Sequence, residues 1–349
     1  MMINCAYIGF GKSATRYHLP YVLLRKDKYH VKRIFDIQRK PELEASAQYQ
    51  HIAFTSDPDD ILNDSEIQLV IICTHPDSHY QYAKMCLEKG KNVMVEKPFT
   101  TTLEEARTLF ALAREKGLTV TPFQNRRFDS CFLTMKQAIE SGKLGDIVEI
   151  ESHFDYFRPQ AETCPGSDFN GAFYGLGVHT VDQILSLLGR PQQVGYHLRK
   201  LRNPLNPDDT FDVHLYYGKT TAIVKTSHLV KVPGPRFIVH GTRGSFIRYG
   251  IDQQETSLKA GIMPGDPAFG EDREMAVLEY VNAAGESVRE TLAAVPGDYG
   301  RVYDALFWTL TTGKANYVSE NEALTNLEIL EAAFRQPSPA VVTLATEAS

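Results

Sequence analysis

Three short stretches of this 349-residue sequence could carry chemistry. The first is Gly9-Phe10-Gly11-Lys12-Ser13-Ala14, with the spacing G-x-G-x-x-A. Glycines at that spacing let a strand turn sharply into a helix, aim several backbone N–H groups at one point and let the backbone approach a pyrophosphate. The small Ala14 lets helix and strand pack closely. The same glycines also suit a tight turn that binds nothing. The second stretch is Glu96-Lys97-Pro98. A lysine partly desolvated beside a cofactor can give or take a hydroxyl proton, whereas most lysines are solvated surface residues. The third is G-L-G-V-H-T-V-D, with His179 and Asp182 three residues apart on a predicted helix. At that spacing a carboxylate can orient the imidazole and fix its tautomer. A histidine that only packs is the plainer alternative. His-x-x-Asp is also half of a metal site, but no third ligand stands at a telling spacing, so no metal is expected.

These groups need strands that end at one edge. Residues 1–122 alternate strand and helix, the pattern of a doubly wound parallel sheet. Strands are expected at 3–8, 31–35, 67–73, 92–95 and 118–122. Helices are expected at 13–24, with Pro20 an awkward guest, and at 41–49, 57–62, 78–89 and 103–116. Thr102 and Glu105 form a capping box ahead of the last of these. The second strand ends at Asp36, 25 residues after Gly11. An Asp there accepts both ribose hydroxyls and repels a 2′-phosphate, which favours NAD over NADP. Arg39 and Lys40 are close enough to hold that phosphate if the loop turned, and a merely solvated strand-end Asp is the alternative. Ligands in such folds bind at the carboxyl ends of the strands. Thr74, His75 and Pro76, then Glu96, Lys97 and Pro98, then Gln124, Asn125 and Arg126 are therefore the other positions of interest.

After about residue 125 the pattern changes. Strand-like stretches follow at 147–157, 193–201, 210–217, 220–229, 237–240 and 245–249, and several of them alternate polar and apolar residues, as in an antiparallel sheet with one buried face. Helices are expected at 127–141, 177–188, 299–312 and 320–334. Residues 250–272 read as a long loop, which in a compact domain is usually functional, partner-bound or mobile. The tail after Gln336 reads as frayed. The expected division is a dinucleotide-binding domain at 1–123 and an α+β domain at 124–349.

Composition narrows the function. Net charge is -6 and no basic block interleaves with aromatics, which argues against a nucleic-acid partner. The five cysteines form no C-x-x-C pair, and Cys5 and Cys73 fall in apolar strands. No apolar run approaches the ~20 residues of a membrane span. The chain enters a strand at once, without a signal segment. The expectation is a reduced, cytoplasmic protein without a membrane partner.

Taken in order, G-F-G-K-S-A, T-H-P-D-S-H, E-K-P and G-V-H-T-V-D resemble the Gfo/Idh/MocA family of NAD(P)-dependent oxidoreductases over essentially the whole chain. The resemblance implies a Rossmann domain and a second domain with a large, open-faced antiparallel sheet. It also implies NAD or NADP as cofactor, a sugar, polyol or cyclitol substrate, and homodimers or homotetramers formed through the second domain. By position, Lys97 matches the catalytic lysine that binds the reacting oxygen, and Pro98 a proline that commonly follows a cis bond. His179 matches the proposed acid/base, with Asp182 the acidic residue one turn on. Gly9, Gly11, Lys12, Ser13 and Ala14 match the phosphate turn. Thr74, His75 and Pro76 match the loop beside the nicotinamide, and His79 closes that motif. Glu96, Asn125 and Arg126 are further cofactor candidates, with Arg127 and Arg158 looser ones. Many members carry Asp four residues before the histidine, where this chain has Gly175. That departure leaves a second reading open, an NAD(P)-binding sensor without turnover.

Overall fold

Strands buried on both faces read as unbroken apolar runs. The structure, a computed structural model describing residues 2–344, builds its first sheet on such runs. Among the described residues the strands are β1 (Ile3–Ile8), β2 (Tyr29–Phe35), β3 (Ala53–Thr55), β4 (Leu69–Ile72), β5 (Asn92–Val95) and β6 (Val120–Pro122). They lie in the order β3-β2-β1-β4-β5-β6, and every neighbouring pair is parallel. This is the doubly wound order, with its switch point between β1 and β4. Both central strands are buried, including Cys5 in β1. The helix Leu103–Lys116 begins with the expected Thr102–Glu105 capping box and ends at Gly117 in the left-handed region.

The chain divides into two compact units. One comprises Met1–Gln124, Ile262–Pro267 and Tyr299–Leu324; the other comprises Asn125–Gly261, Ala268–Asp298 and Thr325–Ser349. The first unit thus takes in the helix Arg301–Thr312, which contributes the buried Val302, Tyr303 and Leu306. Asp304 of that helix holds Arg25 and Lys28.

The segment after the glycine turn departs from the expected helix at 13–24. It opens as a wide π-type turn over Ala14–His18 and continues as α-helix over Leu19–Val22. Pro20 is the physical reason. It lacks an N–H, and its ring crowds the carbonyl four residues back, so a wider turn ahead of it relieves both. The expected helix at 41–49 is confined to Pro41–Glu44.

The second unit is built on β7 (Ile147–His153), β8 (Gln193–Arg199), β9 (Thr210–Tyr217), β10 (Thr220–Ser227), β11 (Phe237–Gly241), β12 (Gly244–Arg248), β13 (Ala276–Val281), β14 (Ser287–Leu292) and β15 (Ala340–Thr343). Their order is β14-β13-β12-β11-β7-β10-β9-β8-β15. The pairings are antiparallel except β7 with β10. Alternate residues such as Ile150, Val213, Ala222, Val224, Val239 and Phe246 enter one core, with Phe132 and Met135 from the helix Ser130–Glu140 and Val181 and Ile184 from the helix Val178–Leu188.

Two expectations fail here. The stretch at 250–272 contains the helix Gln254–Lys259, because Asp252 accepts the Gln254 N–H and Leu258 is buried. The tail after Gln336 is not frayed through its described part. Ala340–Thr343 pairs with β8, and this edge pairing supplies partners the sequence alone did not show. Residues 345–349 lie outside the described residues. No helix among the described residues is long and apolar enough to cross a membrane.

Candidate functional site

In the first unit, the carboxyl ends of β1, β2, β4 and β5 gather most of the expected residues. Gly9 follows β1 with φ of +103°, a conformation glycine adopts freely and other residues avoid. A Cβ there would stand 2.7 Å from the Cys73 carbonyl oxygen, so β1 turns where only glycine lets it pass the end of β4. Gly11 differs, since nothing lies within 4 Å of its Cβ position. Its backbone faces open space, as a phosphate cradle requires. Asp36 accepts the Phe10 N–H at 2.8 Å and the Gln38 N–H at 2.9 Å, and pairs with Lys40 at 2.6 Å. Burial pushes its pKa up, but the Lys40 ammonium and the two backbone N–H groups outweigh this and hold it below the usual carboxylate range. Arg39 is committed to Glu44. The expected competition between Asp36 and Arg39-Lys40 is therefore, in part, a contact between Asp36 and Lys40.

Thr74, His75 and Pro76 lead from β4 into the short turn Pro76–Ser78. His79 is fully buried. Its Nδ1 lies 2.9 Å from the Pro98 carbonyl oxygen and its Nε2 3.1 Å from that of Thr74. Burial holds its pKa below the ordinary value, despite the two carbonyl contacts. His79 thus ties the Thr74 loop to the Lys97-Pro98 loop, and it reaches a ligand only through those loops. The Lys97–Pro98 peptide is cis. Lys97 is half-buried, and its N–H donates to Glu96 Oε2 at 2.9 Å. The other carboxylate oxygen of Glu96 receives the Ser13 hydroxyl and lies 3.0 Å from His18 Nε2. One buried carboxylate therefore joins the glycine turn to the lysine strand end.

Sequence reading missed His18 and its partner Tyr303. Tyr303 Oη lies 2.7 Å from His18 Nδ1 and 2.8 Å from Tyr7 Oη. No spacing signal could have found the group, because His18 and Tyr303 are 285 residues apart and nothing local marks either as buried and polar.

The second unit holds the remaining candidates. Asn125 and Arg126 lie on the turn Asn125–Phe128. Arg126 binds Glu255, and its carbonyl receives the Gln183 side-chain amide at 2.6 Å. His179 lies buried in the first turn of Val178–Leu188. Asp182 receives two hydrogen bonds from Arg127, at 2.8 and 2.7 Å, and both partners are buried. Asp182 is thus the anchor of an ion pair that spacing alone did not reveal. Gly175 has nothing within 4 Å of its Cβ position, so packing does not forbid a carboxylate there. Arg158 lies over the Tyr156 ring at 4.1 Å. Among the described residues no group of three or more His, Cys, Asp or Glu side chains could hold a metal ion.

The first-unit residues fit a dinucleotide. Gly9 and Gly11 leave the turn open where a pyrophosphate would lie, and Asp36 Oδ1, which accepts one N–H, has a second lone pair that a ribose hydroxyl could use. Comparison with known proteins agrees. Residues 3–124 match the Gfo/Idh/MocA oxidoreductase family's NAD-binding Rossmann fold, and residues 136–343 match its C-terminal alpha/beta domain. The chain is 67% identical over 345 residues to the uncharacterized oxidoreductase YhhX of Escherichia coli (strain K12), covering 99% of this chain and 100% of that one. The crystal structure of that probable oxidoreductase superposes with a TM-score of 0.97. An oxidoreductase from Bacillus cereus is 49% identical, with full coverage of both chains and a TM-score of 0.97. A scyllo-inositol 2-dehydrogenase (NADP(+)), IolW of Bacillus subtilis (strain 168), is 33% identical over 95% of this chain and 93% of its own.

Proposed function

The chain belongs to the Gfo/Idh/MocA oxidoreductase family, and from that premise we propose that it oxidises or reduces a hydroxyl-bearing carbon of a polyol, sugar or cyclitol. The bound nicotinamide supplies or accepts the hydride. Lys97 gives or takes the proton of the reacting oxygen, His179 shares that proton, and Asp182, held by Arg127, fixes the helix that carries His179. The observation that carries the reading is Glu96, which receives the Ser13 hydroxyl and the Lys97 backbone N–H and so ties the glycine turn to the strand end that bears the lysine. The 33% identity to a protein named scyllo-inositol 2-dehydrogenase supports the substrate class. Asp36 supports NAD as the preferred form, with Lys40 beside it as the group that would admit NADP. Copies of the chain associate, on this proposal, through the sheet of the second unit.

The test is a panel of inositols, polyols, aldoses and their ketones, run with NAD and NADP and followed at the NAD(P)H absorbance band. Wild type turns over at least one member. Lys97→Met lowers kcat by about a hundredfold or more, the scale of general acid–base catalysis, and His179→Ala by about tenfold or more. Unchanged turnover in both variants would defeat the assignment. Tight cofactor binding with a silent panel would instead support a sensor without turnover.

A further inference from the structure

One buried row of side chains in the first unit is not needed to form the phosphate cradle. Tyr7, Tyr303 and His18 are essentially inaccessible, and they lead in hydrogen-bonded sequence to Glu96 at the end of β5. Proton positions follow from satisfying every donor. Tyr7 has the Tyr303 oxygen as its phenol partner, so Tyr7 donates to Tyr303. Tyr303 then donates to His18 Nδ1, and His18 carries its own proton on Nε2, aimed at Glu96. Burial by itself would push Glu96 toward its neutral form. The contacts with His18, first of all, and then the Lys97 charge and the Ser13 hydroxyl prevail, and its pKa is lowered to about 2.

The position of that charge matters. In a doubly wound sheet the two nucleotide halves fall on either side of the switch point. Asp36, at the end of β2, marks the adenosine half, and Glu96, at the end of β5, lies in the other. Oxidised and reduced cofactors are nearly identical in shape and phosphate charge. They differ by the positive charge of the oxidised nicotinamide ring.

We propose that Glu96, fixed by the Tyr7–Tyr303–His18 row, is a standing anion that makes this chain hold oxidised cofactor in preference to reduced. The inference rests on the role given above to the Lys97 strand end. Toward substrate the bias favours carbonyl reduction, in which the carbonyl carbon gains a hydride and its oxygen gains a proton. His18 and Tyr303 are positioning residues in this scheme, acting through Glu96.

The experiment is isothermal titration of the full-length chain with NAD⁺, NADH, NADP⁺ and NADPH. No substrate is needed, so an unmoved ratio sinks this inference and leaves the polyol reading standing, while a silent substrate panel does the reverse. For the preferred cofactor, wild type is expected to bind the oxidised form at least as tightly as the reduced. Glu96→Gln raises the ratio of Kd for oxidised over reduced cofactor about fivefold or more, the effect of one nearby charge. His18→Leu, which strips the donor from Glu96, moves the ratio the same way. His18→Gln, which restores an N–H donor, returns it toward wild type. A purely structural row would weaken both forms equally and leave the ratio alone. A ratio within twofold of wild type in folded Glu96→Gln overturns the proposal. Should the variants not fold, wild type decides: a tenfold preference for the reduced form overturns it.

Discussion

Gly9 and Gly11 occupy the same turn for different physical reasons, and the difference can be measured. Gly9 combines a left-handed φ with the approach of the Cys73 carbonyl, so any side chain meets both backbone strain and a clash. Gly9→Ala is expected to cost about 2–4 kcal/mol in denaturant unfolding. Gly11 faces open space and has no positive φ. Gly11→Ala is expected to stay within about 0.5 kcal/mol of wild type, yet to weaken NAD(P)H binding about tenfold or more, because the added methyl stands where the pyrophosphate approaches. Equal stability loss in the two variants would contradict this division. At the same scale, the sequence revealed which residues could matter but not what they touch. Spacing offers Asp182 as a partner for an imidazole, and the structure also gives it Arg127. Sequence order offers His79 as a cofactor contact, and the structure makes it a brace between two loops. Side-chain partners of this kind come from strands and turns far apart in the chain, which no local spacing encodes.

At the scale of elements, the helix that carries His179 is fastened at its start by Asp208. The Asp208 side chain accepts the Phe173 N–H at 2.8 Å and its carbonyl oxygen accepts the Ala172 N–H at 2.8 Å. Burial, reinforced by neighbouring Asp168 and Asp209, pushes the Asp208 carboxyl up to about 7, against the Phe173 hydrogen bond that lowers it. The sign follows from linkage. A group whose folded pKa lies above its ordinary 3.8 binds protons more tightly when folded. Its contribution to stability is therefore complete below about pH 4 and is lost as pH rises through about 7. Asp208→Asn keeps an oxygen for the Phe173 N–H and removes the charge. It is expected to raise the melting temperature at pH 8 by several degrees, on the order of 1–3 kcal/mol, and to leave it nearly unchanged at pH 4. A variant no more stable at pH 8 than wild type would show that the carboxyl is not held protonated by its surroundings. Elements themselves were largely legible, because burial on both faces or on one writes a period into the sequence. The exceptions had causes. The π-type opening at Ala14–His18 answers Pro20, β3 is only three residues long, and β15 acquires its identity from pairing with β8.

For the whole molecule, light scattering of the 39.2 kDa chain is expected to give the mass of two or four copies. A monomer at micromolar concentration would defeat the proposed association through the second unit's sheet. By itself the sequence determined the doubly wound first sheet, the mostly antiparallel second one, the glycine turn after the first strand and the candidate proton carriers. These properties depend on period, on glycine and proline, and on the residue types that chemistry requires, all of them local. Only the tertiary structure decided that the helix Arg301–Thr312 packs in the first unit and that Tyr303, Tyr7 and His18 converge on Glu96. It likewise decided that Ser13 and Lys97 share that carboxylate. The physical reason is that a buried polar group is satisfied by whatever partner the folded chain delivers, and the chain delivers it from hundreds of residues away.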